Sequence, residues 1–223
     1  RIKSGKYLTG HLNSFSTRLK RLEMIHREIT TPLLVKNHAG QVVRVNIEEP
    51  GVYLFVHEKK PRQVTSDIQR FTKYLERTGN ADMLEAVIAS QPRKDRVKYR
   101  DRICLKTLFI AEPRSDLKMP GDTNCLYELI LESIASNPAD DSRTIFRVTF
   151  DGEPVTDVIV SGFRARNPLQ RLKGKTDSEG RVRFPSILHG QRWLFSTDYL
   201  HRNQGNPDTW DLFNSTLTFV PPG

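Results

Sequence analysis

Between Thr144 and the end of the chain, apolar residues recur at alternate positions, and turn residues cut the runs at short intervals. Phe146, Val148 and Phe150 alternate before Asp151-Gly152 turns the chain, and Val155, Val158 and Val160 form a further run. Thr176 to Gly180 reads as a tight turn, after which Val182 and Phe184 alternate again; Arg192 to Ser196 and Leu217 to Val220 close the series. A period of two with regular turns predicts about six short strands and a small sandwich, because only a pleated strand sends every second side chain to one face.

The front half mixes two periods. Val43, Val45 and Ile47 fall on one face of a strand, and after Glu49-Pro50-Gly51 the stretch Val52 to His57 is extended and mostly apolar, with Lys59-Lys60-Pro61 expected to end it. Ile68, Phe71 and Leu75 then take helical spacing, with Ser66 or Asp67 as N-cap and Gly79 at the C′ position. Asn80 is placed to cap a second helix carrying Met83, Leu84, Val87 and Ile88 and ending before Pro92. Strands are expected again through Cys104 to Ile110 and Cys125 to Leu131. Ser136 to Asp141 is polar, contains proline and has neither period, so it marks a boundary. The expectation is a mainly β protein of two β-sandwich-like domains. Residues 1–138 form a β-rich domain with a two-helix insertion near 67–91, and residues 142–223 form an immunoglobulin-like or transthyretin-like sandwich.

No apolar run approaches the roughly 18 residues that a membrane-crossing helix needs. Lysine and arginine number 35 against 26 acidic residues, a net charge of +9, which favours anionic partners without choosing among them. The charge is densest in the run Arg93, Lys94, Arg96, Lys98, Arg100, Arg102 and Lys106. From Arg96 to Arg102 the basic residues alternate with Val97, Tyr99 and Asp101. A strand would present them on one face, either as a platform for phosphate or sulfate or as a solvated face that discourages edge pairing.

The two cysteines, Cys104 and Cys125, fit one disulfide worth about 3 kcal/mol in the chain-entropy model, or two buried thiols. Neither has a second cysteine at metal-ligand spacing, which argues against zinc. The six histidines (His11, His26, His38, His57, His189 and His201) include no pair at i,i+2 or i,i+4, so a metal site would have to be assembled from distant strands. There is no Gly-x-Ser-x-Gly elbow, P-loop or Gly-x-Gly-x-x-Gly, and a non-catalytic protein is expected. Trp193 and Trp210 are candidates for stacking on sugars or for the core.

Several motifs follow one another in fixed order: Phe71-Thr72-Lys73-Tyr74-Leu75-Glu76, the basic Arg96 to Arg102 stretch, Tyr127-Glu128-Leu129-Ile130, Asp151-Gly152-Glu153-Pro154, Gly174 to Phe184, and Ser215-Thr216-Leu217-Thr218-Phe219. Over roughly the last two thirds of the chain this order resembles the domain of unknown function 4198 family of bacterial envelope proteins, which is linked to nickel or cobalt uptake. The Gly-x-Pro-Val turn and the Thr-Asp-x-x-Gly hairpin also resemble carboxypeptidase-regulatory and transthyretin-like sandwiches. The resemblance implies a periplasmic or otherwise exported protein with a signal peptide ahead of this chain, and a histidine-containing segment near the mature N-terminus, which with the free amine and backbone amides suits Ni²⁺ or Cu²⁺. It also singles out His201, ahead of Trp210 and Thr216 to Phe219, as the first candidate ligand; the alternative is a strand-end histidine making one hydrogen bond. The expected role is a binding or scaffold protein associated with nickel or cobalt uptake, working with an envelope protein or transporter component. The alternative is a structural subunit that docks through its basic face on an acidic protein, lipid or polysaccharide. Nucleic acid has only the net charge in its favour.

Overall fold

The computed structural model describes residues 18–33, 45, 47–91, 95–112, 118–135, 143–165, 167–184, 187, 190–203 and 209–222. The chain is mainly β, with two sheets and two short helices. Its strands are β1 (Leu19–His26), β2 (Ile29–Pro32), β3 (Gly51–Lys59), β4 (Arg62–Asp67), β5 (Arg96–Ala111), β6 (Tyr127–Ser133), β7 (Thr144–Phe150), β8 (Glu153–Pro154), β9 (Ile159–Arg164), β10 (Asn167–Lys175), β11 (Arg181–Phe184), β12 (Trp193–Arg202) and β13 (Trp210–Phe219). The larger sheet runs β10-β9-β12-β13-β5-β3-β1-β2, with β4 also on β5; the smaller runs β11-β7-β6, with β8 on β7. No helix is long and apolar enough to cross a membrane among the described residues.

Strands on both sides of the expected boundary build the larger sheet. β13 lies parallel to β5, pairing Trp210 with Tyr99 through Thr218 with Thr107. Residues 136–141, where the boundary was expected, lie outside the described residues. One apolar core fills the space between the sheets: Val52, Leu54, Val56 and Leu108 from the front half meet Phe146, Val148, Phe195 and Phe219 from the back. The sandwich is therefore assembled from both segments, because neither half of the sheet can bury its inner face alone.

β3 ends at Lys59, where Lys59-Lys60-Pro61 was expected to end it, and a further strand, β4, follows directly. β3 pairs with the second half of β5 (Glu58 with Cys104), and β4 continues on the first half (Arg62 with Asp101). The pairing register shifts by one residue between these points, and the proline, which has no N–H to donate, sits in that interruption. β5 is longer than its apolar part predicts, since its basic half is also paired. β12 and β13 are likewise ten residues each rather than short. The strand read at 41–47 falls mostly outside the described residues.

The helical insertion follows the sequence closely. α1 (Ile68–Thr78) is capped by Asp67, whose carboxylate accepts from the Gln69 and Arg70 N–H groups at 2.9 and 3.2 Å, and Gly79 takes the left-handed conformation at φ 83°. A short 3-10 turn (Ala81–Met83) leads into α2 (Leu84–Ala89). Asn80 does not cap it. Its side chain instead donates to the Asp198 carbonyl and accepts from the Leu200 N–H, both at 3.3 Å, which ties the insertion to β12. Phe71, Leu75 and Val87 then cover Val97, Leu200, Trp210 and Leu212 on the outer face of the larger sheet.

Candidate anion-binding face

The first half of β5 points Val97 and Tyr99 outward under the helices, so Arg96, Lys98, Arg100 and Arg102 share the opposite face. Arg96 and Lys98 are exposed, Arg100 and Arg102 half-buried. The parallel register places Asp211 beside Arg100, and the β12–β13 register places His201 beside Asp211. Three of the predicted site residues, from two distant parts of the chain, thus surround one carboxylate.

Asp211 is 5% exposed and heavily bonded. Arg100 Nη2 donates to its Oδ2 at 2.8 Å while Arg100 Nε holds Oδ1; Asn203 Nδ2 donates at 3.0 Å, and Arg102 Nε stands 3.3 Å from Oδ2. Burial alone would raise the Asp211 carboxyl, but the Arg100 hydrogen bonds, Asn203 and the charge of Arg102 outweigh it and hold the group below the usual carboxylate range. Two guanidiniums therefore share one negative charge, and Arg102 also lies over the Phe213 ring at 5.5 Å. With the exposed Lys98 and Arg96 alongside, the face keeps an excess of positive charge.

His201 packs its ring against Phe150 at 4.9 Å and Tyr199 at 5.8 Å. These rings belong to the aromatic rim, with Tyr127 and Phe213, that closes the core on this side. The charged groups nearest Asp211 are cations, an arrangement that suits an anion rather than a divalent metal. No group of three or more histidine, cysteine or acidic side chains is placed to hold a metal ion among the described residues. His11, His38 and His189, like Arg93 and Lys94, lie outside the described residues.

The other singled-out residues are structural. Trp193 and Trp210 are buried, and Trp210 Nε1 donates to Ser90 Oγ at 2.7 Å. His26 stacks on Tyr53 with ring centroids 4.0 Å apart. His57 is pulled down to about 4 by burial and then by the Lys59 charge, so its imidazole is neutral at pH 7. Cys104 and Cys125 are joined, with Cα atoms 6.7 Å apart, and Arg21 reaches the same corner, donating to the Thr123 carbonyl at 2.7 Å.

Lys106 leaves the basic face altogether. β5 passes under the smaller sheet by this point, so Lys106 is buried and meets Glu128 of β6 at 2.6 Å. Asp211 and Glu128 carry the local chemistry but were not singled out as site residues. The available signal was the same for both, an acidic residue set inside an apolar strand (Trp210-Asp-Leu-Phe and Tyr127-Glu-Leu-Ile), where an unpaired carboxylate would be too costly to bury.

Compared with known proteins, the chain matches no family model, no curated protein and no solved structure.

Proposed function

We propose that this chain is a non-catalytic binding or scaffold protein of the bacterial cell envelope that docks an anionic partner on the Arg96–Arg102 face. The observation that carries this reading is the sharing of Asp211 by Arg100 and Arg102 next to exposed Lys98 and Arg96. The buried carboxylate fixes the two guanidiniums in place, so little side-chain entropy is lost when a ligand arrives, and their remaining donors suit carboxylate, phosphate or sulfate groups. The Cys104–Cys125 bond fits the oxidising compartment of an exported protein.

Nickel or cobalt uptake is the process to which the family resemblance ties this role, with an envelope protein or transporter component as the partner. On this reading the folded part supplies the docking face, and the ion is handled by the histidine-containing segment that the resemblance places near the mature N-terminus. Calorimetric titration of Ni²⁺ into the mature protein, stripped of tag and chelator, tests the link. Micromolar or tighter binding supports it, and binding no tighter than millimolar removes it while leaving the docking role standing.

A further inference from the structure

Lys106 and Glu128 face each other across the sandwich, one on each sheet, with side chains 2% and 0% exposed. Lys106 Nζ is 2.6 Å from Glu128 Oε1, its one hydrogen-bond acceptor among the described residues. The surrounding space is lined by Leu54, Leu108, Pro120, Leu129, Leu131 and Leu217. An ammonium carries three donors, and leaving two of them unmet in apolar surroundings is costly. The carboxyl side is richly served. Thr123 donates its hydroxyl to Oε1 and its N–H to Oε2 at 2.9 Å.

We propose that Lys106 and Glu128 are joined in the folded protein by an amide between Lys106 Nζ and Glu128 Cδ, formed by the fold itself with loss of one water. Burial lowers the Lys106 ammonium and raises the Glu128 carboxyl, in each case against the pull of the partner, so the contact moves toward a neutral amine beside a neutral acid. That is the reactive form: the amine lone pair attacks Cδ, and charge building on Oε1 is met by the Thr123 hydroxyl already aimed at it. The Nζ–Cδ bond forms as the Cδ–Oε2 bond breaks. Oε2 leaves as water, taking the carboxyl hydrogen and one amine hydrogen. No oxidant, metal or external reagent enters. The product replaces an under-served ammonium with a single amide N–H, removing the cost that the ion pair carries. It also adds a covalent rung between the sheets two residues along β5 from the Cys104–Cys125 bond.

The test is the intact mass of the purified chain after reduction and complete unfolding. The proposal expects a mass below that of the sequence by one water, about 18 Da. It also expects a branched tryptic peptide linking Lys106 to Glu128, with no cleavage after Lys106. Lys106→Met must restore the full mass whether or not that variant folds. A native chain at the full sequence mass, or a branched peptide joining Lys106 to any residue other than Glu128, would overturn the proposal.

Discussion

Asp211 is the residue on which most of the charge of the candidate face converges, and its replacement separates structural from binding roles. Asp211→Asn keeps the shape but leaves Arg100 and Arg102 half-buried around a neutral amide. Breaking a buried pair from one side costs about 3–5 kcal/mol, and partial exposure of both arginines reduces this to about 2 kcal/mol here. The urea midpoint should fall accordingly, and affinity for an anionic probe should fall with it, because the two guanidiniums lose the carboxylate that holds them in place. His57 gives a pH dependence. Its folded pKa of about 4 lies below the ordinary 6.5, so the unfolded chain takes the proton more readily, and stability that is full above about 6.5 is lost as pH falls toward 4. The loss is up to about 3 kcal/mol. Denaturant midpoints measured across that window should fall for the native chain and fall less for His57→Gln. The Asp211 partnership could not be read from spacing. The alternation of Arg96 to Arg102 was legible, but the carboxylate that organises it lies 111 residues away.

The helical insertion was legible because its signals are local: an Asp67 cap, helical spacing of Phe71 and Leu75, and Gly79 after the last turn. Gly79 answers to two demands, a φ of 83° and a close approach in which an added Cβ would sit 2.5 Å from Ile159 Cδ1. Gly79→Ala should therefore lower stability by about 1–2 kcal/mol. Thermal melts should show part of that recovered with Ile159→Val, which relieves the contact but not the backbone. The edge strands were not legible. β2 is exposed along its whole length, and β1 carries Leu22 and Met24 toward one face but Ile25 toward the other, with a bulge between Leu19 and Arg21 breaking its alternation, so backbone pairing holds them with little side-chain pattern. β4 is missed for a similar reason, since Val64 is its one apolar residue, and the proline ahead of it reads as a stop.

In the assembled sandwich, the parallel β5–β13 contact joins the two halves and creates the basic face, since Arg100 and Arg102 come from one half and Asp211 and His201 from the other. Alternation predicts strands but not their neighbours, so the mainly β class and the helical insertion were visible in the sequence, whereas the shared sheet was not. The same crossing explains why one basic run divides in two, with Arg96 to Arg102 beyond the smaller sheet and Lys106 beneath it. The central claim is that this face, and not the net charge of +9, recognises anionic partners. The most direct measurement is the salt concentration that elutes the protein from a sulfated-polysaccharide matrix. The native chain is compared with Arg96→Glu/Lys98→Glu and with Arg27→Glu/Lys175→Glu, an equal charge change at exposed sites elsewhere. The account predicts early elution for the first pair and near-native elution for the second; equal losses in both, or none in either, would contradict it.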